Sequence, residues 1–300
     1  MNKSVLFPLK EPEGWESWGS ALMKSGGTVF LLGNVDTGKT YLARFLYTQG
    51  RQAGLNSAIL ELDVGQSEFG PPMTCTLFSE GKAQKHYFIG RFSPQGAFWR
   101  CLTAAALLKK EAEKVGSDLI IVDTTGLVEG PAGIWFKRTK IEILRPDYII
   151  AREKNSELQP ILRKFSYRRD IKIFMDPIPQ TVRRFSPPER AILREQKLRY
   201  YFQNAREYQI SVESLALFPS VQFFEKETVQ GTIVGLMDEE GWLIALGILL
   251  EGGKKLTLKA PVMDLGKIKA VEASAVKIFD LKDFIIRQNT QEQERNGLEY

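Results

Sequence analysis

Gly33-Asn34-Val35-Asp36-Thr37-Gly38-Lys39-Thr40 is the stretch on which the reading of this chain turns. Its fixed positions satisfy G-x-x-x-x-G-K-[ST], the pattern of a phosphate-binding loop. Thr28-Val-Phe-Leu-Leu32 before it is a short apolar run. Leu42, Phe45, Leu46 and Gln49 after it follow helical spacing. The spacing therefore predicts a loop joining a buried strand to a helix. Glycine at 33 and 38 admits backbone angles that a side chain would forbid. Loop N–H groups and the helix N-terminus can then face phosphate oxygens. Lys39 is expected at the β- and γ-phosphates, and the Thr40 hydroxyl at Mg²⁺. Residues 33 to 41, ending at Tyr41, are the expected nucleotide cradle.

Further strands follow at intervals. Ser57-Ala-Ile-Leu-Glu-Leu62 ends in Asp63, and Leu119-Ile-Ile-Val122 ends in Asp123. Residues 85–90, 147–150 and 171–174 also read as strands, and residues 95–114, 133–144 and 158–165 as helices. Alternation of continuous apolar strands with helices predicts an α/β fold, a parallel sheet covered by helices on both faces. Ligands in such sheets lie at the carboxyl ends of strands, where Gly33, Asp63 and Asp123 all stand. From about residue 210 the period shortens. Residues 232–236, 242–246 and 255–258 read as short strands, with Asp238-Glu-Glu-Gly241 as a hairpin turn. The expected domains are an N-terminal segment over 1–26, a phosphate-loop domain over 27–208 with a lid helix over about 187–203, a small β domain over 209–286 and a polar tail over 287–300. Trp15, Trp18 and Leu22 predict a short helix packed on the first strand.

Composition narrows the chemistry. Of 300 residues, 43% are hydrophobic and 26% charged, as in ordinary globular proteins. Two cysteines cannot build a disulfide framework, which points to a reducing compartment. Val5-Leu6-Phe7 is interrupted by Pro8, too short for a secretory signal, and no run is long enough to span a bilayer. The expected location is cytoplasmic, with no membrane partner. The single histidine, His86, disfavours Ser-His-Asp and His-metal chemistries. Net charge is +5, but residues 152–206 alone carry 14 Lys or Arg and 6 Asp or Glu, a local net of +8. A concentrated basic segment beside a phosphate loop points to nucleic acid.

Asp123 closes its apolar strand as a Walker-B aspartate does and is an expected Mg²⁺ ligand with Thr40. Asp123-Thr-Thr-Gly126 also fits the D-x-x-G of GTPases, but no [NT]-K-x-D element follows, which favours adenine. Asp63 is placed to take a proton from an attacking hydroxyl, or to stand beside the metal. Ser186-Pro-Pro-Glu189 is a helix-start signature, so Arg190 and Arg194 share one helical face. Their guanidinium groups fit phosphate oxygens.

Glu61-Leu-Asp-Val-Gly-Gln66, with Pro71-Pro72, resembles the D-x-G-Q motif of the polynucleotide 5′-hydroxyl kinases. These include the kinase subunit of the mRNA 3′-end cleavage factor, the pre-rRNA-processing kinases and archaeal relatives. The resemblance continues through residues 88–94 and 122–130, the arginines at 190 and 194, Arg199-Tyr-Tyr-Phe202 and the β domain. It implies transfer of the γ-phosphate of ATP to a 5′-hydroxyl end of RNA or DNA. Lys39, Asp63, Arg190 and Arg194 would be catalytic, and Gln66, Thr124, Thr125 and Gly126 would contact the substrate. It identifies no protein partner. Leu127 stands where many relatives carry a nucleic-acid-gripping tryptophan, with Trp99 and Trp135 as candidate substitutes. Asp123 stands where those relatives have Asn. The alternatives are a non-catalytic ATP-binding scaffold and a GTPase of the metal-insertion or targeting type.

Overall fold

The computed structural model describes residues 11–12, 14–79, 84–226, 229–262, 264–280 and 285–288. The Val5–Phe7 run and residues 289–300 of the expected tail lie outside them. The chain divides into two compact units. One comprises Met1–Leu62, Leu77–Ala83 and Ala105–Arg184; the other comprises Asp63–Thr76, Gln84–Ala104 and Phe185–Tyr300.

The first unit carries α1 (Trp15–Ser25), β1 (Gly27–Gly33), α2 (Lys39–Gln52) and β2 (Ser57–Leu62). β3 (Thr74–Phe78), β4 (Lys85–Phe88) and the start of α3 (Phe98–Lys114) fall largely in the second unit, and β5 (Leu119–Thr124) and α4 (Gly130–Leu144) follow in the first. It ends with β6 (Tyr148–Arg152), α5 (Gln159–Leu162) and β7 (Lys172–Met175). The strands form one sheet in the order β4-β3-β2-β5-β1-β6-β7. The pairs β2–β5, β5–β1, β1–β6 and β6–β7 are parallel. Every residue of β2, β5 and β6 is buried, so both faces of the sheet are covered, as continuous apolar strands require. Trp18 and Leu22 of α1 are each 1% exposed, and Trp15 sets its ring edge against Phe45 of α2. The apolar stripe of the first helix is therefore core. Chain order jumps on both sides of β1, whose carboxyl end is a switch point of the kind where α/β sheets bind ligands.

The second unit is built on another sheet. Its strands are β8 (Arg206–Ser211), β9 (Ala216–Phe218), β10 (Thr232–Met237), β11 (Leu243–Glu251), β12 (Lys255–Ala260), β13 (Ala270–Asp280) and β14 (Ile285–Gln288). The order is β14-β13-β10-β11-β12-β8, with β9 paired to β13. The Asp238–Gly241 turn joins β10 to β11, and Gly241 takes a positive φ of 82° there. Arg287 and Gln288 pair with β13, so the sheet reaches two residues into the expected tail. The helices α6 (Pro187–Phe202) and α7 (Val221–Phe224) belong to this unit. One core gathers Leu198 and Phe202 of α6 with Met73, Phe88, Phe92, Ile233 and Leu246. Gly235 admits the Phe88 ring: a Cβ at 235 would lie 2.7 Å from it.

His86 lies in β4, half-buried, with Nδ1 3.0 Å from the Thr76 hydroxyl. Burial lowers its pKa from 6.5 to about 4, so it is neutral at pH 7. The unfolded chain protonates this imidazole first as pH falls. Stability is therefore unaffected above pH 6.5 and is lost as pH drops from there towards about 4. The loss due to His86 is about 2 kcal/mol at pH 5. His86→Gln is expected to melt with a correspondingly smaller drop between pH 7.5 and 5, and an identical drop would refute this.

Candidate active site

The phosphate loop begins where β1 runs out. Gly33 pairs with Arg152 across β6, and a Cβ at 33 would sit 2.8 Å from the Arg152 carbonyl and 2.7 Å from Thr37 Oγ1. Gly38 takes a positive φ of 77° and opens α2. Space and backbone angle thus both call for glycine at the two motif positions. Asp36 also has a positive φ, 54°. Within the loop the Thr37 hydroxyl donates to the Asn34 carbonyl at 2.9 Å. Lys39 Nζ donates to the same carbonyl at 2.7 Å. The Asn34 side chain donates to Glu129 Oε1 at 2.8 Å and accepts from the Val35 N–H at 2.7 Å.

Two loops interlock here. A Cβ on Gly126 would lie 2.3 Å from the Val35 nitrogen, so the Asp123–Gly126 turn sits directly against the phosphate loop. Asp123 is 1% exposed, and the Thr40 hydroxyl donates to its Oδ2 at 2.6 Å. A carboxylate and a hydroxyl in contact are the hard oxygen donors that Mg²⁺ takes, with phosphates and water completing its octahedron. Among the described residues no group of three His, Cys, Asp or Glu could hold a metal. A cation at Thr40 and Asp123 would therefore draw its remaining ligands from a bound triphosphate and water.

Thr124 is fully buried. Its hydroxyl donates to the Leu31 carbonyl at 2.9 Å and accepts from Lys137 Nζ at 2.7 Å, so it is engaged inside the fold. Thr125 lies one residue nearer the turn. Its buried hydroxyl has no hydrogen-bond partner among the described residues. Leu127 is half-buried, Trp135 of α4 is 42% exposed and Trp99 of α3 is 74% exposed.

The second unit holds the other expected residues. Asp63 directly follows Leu62, whose register partner is Thr124. Its Oδ1 accepts from the Gly65 N–H at 3.0 Å, and Gln66 is half-buried beside it. The α6 helix starts as its sequence predicts. Ser186 and Glu189 form a reciprocal capping box, with the Ser186 N–H donating to Glu189 Oε2 at 2.7 Å. Arg194 then reaches the Asp63 turn, where Nε donates to the Gly65 carbonyl at 3.1 Å and the guanidinium lies 5.7 Å from the Phe92 ring centroid. Burial lowers the Arg194 pKa, against an opposing pull from Asp63. Lys197 Nζ donates to the Ser67 carbonyl at 2.6 Å, a second tie between α6 and this turn. Arg190 Nη1 donates to the Phe185 carbonyl.

Two buried cations escape sequence reasoning. Arg152 closes β6 and is 1% exposed. Its Nη1 donates to the Thr37 and Gly38 carbonyls at 3.1 and 2.9 Å, and Nε donates to Asp176 Oδ2 at 2.6 Å. A Cβ at Gly38 would lie 2.9 Å from Nη1, so the guanidinium lies directly under the Thr37–Gly38 end of the loop. The signal was present: a charged residue closes an apolar strand, as Asp123 does. Lys137, fully buried, donates to Thr124 Oγ1 and to the Thr125 carbonyl. Arg152→Met strands Asp176 in the core, and breaking such a pair costs about 3–5 kcal/mol. A lower melting temperature is expected, with a rise of about tenfold in the KM for ATP, the equivalent of about 1.4 kcal/mol. Lysine should restore only part of this, since a point charge cannot span two carbonyls and a carboxylate. An unchanged ATP KM in Arg152→Met would sever this residue from the loop's conformation.

A parallel sheet with a phosphate loop at its switch point, backed by an aspartate on the next strand, defines a P-loop nucleotide-binding protein. The chain belongs to the mRNA cleavage and polyadenylation factor CLP1 P-loop family, whose model matches residues 33–204. It is 32% identical over 268 residues to a protein of Pyrococcus abyssi named polyribonucleotide 5′-hydroxyl-kinase, covering 86% of this chain and 73% of that one. A protein of the same name from Methanocaldococcus jannaschii is 36% identical over 233 residues, covering 75% and 63%. Among solved structures, a chain of the wild-type Clp1p–Pcf11p complex is similar in fold. It has a TM-score of 0.68 at 15% identity, covering 89% of this chain and 80% of that one.

Proposed function

We propose that this protein is an ATP-dependent 5′-hydroxyl kinase acting on RNA ends. The observation that carries the reading is the complete phosphate loop, with Lys39 folded over it and Thr40 hydrogen-bonded to Asp123. The names of the relatives supply the acceptor, and favour RNA over DNA. ATP·Mg²⁺ is assigned to residues 33–41 with Thr40 and Asp123. When bound, the metal neutralises charge on the phosphates being separated.

The 5′-oxygen of the RNA forms a bond to the γ-phosphorus. The bond from that phosphorus to the β,γ-bridging oxygen breaks, and ADP leaves. Asp63 is assigned as the base that takes the hydroxyl proton, on chemistry and on its place after β2. Lys39, Arg190 and Arg194 are assigned to the negative charge on the transferring phosphoryl group. Thr125 and Gly126 remain the proposed substrate contacts of their turn, with Gln66, while Thr124 supports them from beneath. Cys75 and Cys101, both buried and neither in a disulfide, suit a reducing, cytoplasmic setting.

The test is incubation with γ-labelled ATP and an oligoribonucleotide ending in a 5′-hydroxyl. Label should appear in the RNA as a 5′-phosphate, and none on RNA already phosphorylated there. Unlabelled ATP should compete better than GTP. Nucleotide binding without transfer would reduce the protein to an ATP-binding scaffold.

A further inference from the structure

The first unit carries a second basic surface, at the other end of its sheet. Residues 163–172 read Arg-Lys-Phe-Ser-Tyr-Arg-Arg-Asp-Ile-Lys, a net charge of +4 within ten residues. They connect α5 to the amino end of β7. The strand β6 indexes the distance: Arg152 at its carboxyl end underlies the phosphate loop, whereas Tyr148 at its amino end lies 5.6 Å from Lys172 Nζ. Four residue steps of strand separate the two, roughly 13 Å.

Local carboxylates do not neutralise this surface. Asp170 pairs with Arg168, and Glu142 pairs with Lys164. Arg163 and Arg169 are exposed and have no ion-pair partner among the described residues. Between them Tyr167 stands 76% exposed. Beside Arg163 a groove of about 480 Å³ runs between α5 and the edge strand β7, with Gln159 and Ser166 from one side and Ile171, Ile173 and Met175 from the other. An exposed aromatic ring and unpaired guanidinium groups in one short segment, with Arg163 lining a groove of mixed polarity, form the combination that holds a single strand. The cations track phosphates and the ring stacks a base of any identity.

We propose that Arg163, Tyr167 and Arg169, with the α5–β7 groove, form a second polynucleotide contact that holds the body of an RNA strand whose 5′ end lies at the phosphate loop. The inference rests on the kinase reading for its acceptor. At about 3.4 Å per stacked nucleotide, that separation corresponds to about four stacked nucleotides. A dinucleotide cannot span it, and a strand of about 20 nucleotides can.

The experiment compares the full chain with Arg163→Gln/Arg169→Gln and with Tyr167→Ala, all surface changes. Acceptors are a 5′-hydroxyl dinucleotide and a single-stranded 20-mer of the same end sequence, and binding of the 20-mer is followed by fluorescence anisotropy. Both variants should raise the KM and Kd for the 20-mer about tenfold, within the range for loss of one stacked base. The KM for ATP and for the dinucleotide should not change. The double arginine variant should also flatten the salt dependence of 20-mer binding, because two fewer counterions are released. Unchanged 20-mer affinity in both variants overturns the proposal, and so does an equal loss for the dinucleotide. If the wild-type protein phosphorylates neither acceptor, the kinase reading fails by itself, and the anisotropy comparison still decides whether this surface binds RNA.

Discussion

Lys39→Ala is expected to lower kcat/KM for phosphoryl transfer by roughly 10²–10³ or more, the range seen when one preorganised donor is removed from a centre of developing charge. The side chain is buried and its ammonium already lies 2.7 Å from the Asn34 carbonyl, so its place over the loop is fixed by the loop's own backbone. Alanine keeps the helix: position 39 opens α2, and alanine is the strongest helix former. The melting temperature should therefore stay near that of the parent while transfer collapses. Lys39→Arg keeps the charge but not its compact shape, and rescue should be poor. Near-normal transfer by Lys39→Ala would remove the phosphate-loop assignment and take Lys39 out of the catalytic machinery.

The phosphate loop was legible because its chemistry allows few alternatives. Two glycines face backbone and side-chain atoms under 3 Å away, and one of them needs a positive φ. Asp123 was legible because a carboxylate seldom closes an apolar strand without a task. The α6 start was legible because capping is local: Ser186 and Glu189 meet within one turn. What stayed hidden depends on distance. Thr74–Phe78 has threonines at alternate positions and does not read as a buried strand. In the fold the Thr74 hydroxyl donates to the Pro71 carbonyl and Thr76 meets His86, which is how those polar groups are buried. Residues 63–76 and 84–104 join the second unit through contacts such as Phe88 on Gly235, about 150 residues away in sequence, and no periodicity reports such a pairing. Arg152, Lys137 and Lys140 look like solvated charges in sequence, yet each is at most 1% exposed. A lysine or arginine is almost never buried unless paired, and its partner is known only once the strands are assembled.

Arg194→Ala is expected to lower kcat by at least about 10², because an arginine that neutralises transition-state charge is worth roughly 10³–10⁵ in GTPases. The geometry sets the terms of this prediction. Arg194 is tethered to the Gly65 carbonyl, in the same turn that positions Asp63, and its guanidinium lies 5.7 Å from the Phe92 ring centroid. Its charge is held where burial already disfavours it, a cost that an anion beside it would offset. A contact made chiefly in the transition state lowers kcat and leaves the ATP KM nearly unchanged, whereas uniform binding alters KM alone. Arg194→Lys should recover little, since lysine cannot both reach the Gly65 carbonyl and present a planar fork. The proximity of Asp63 makes the pair testable together. Asp63→Asn should lower kcat by roughly 10²–10⁴, the range for a general base. If Arg194 acts only by holding the Asp63 turn, the double variant should be no slower than Asp63→Asn alone. If it acts on the phosphoryl group itself, the two losses should compound, since independent contributions add in free energy. Normal turnover in Arg194→Ala would leave α6 as a packing helix and take the transition-state role away from its arginines.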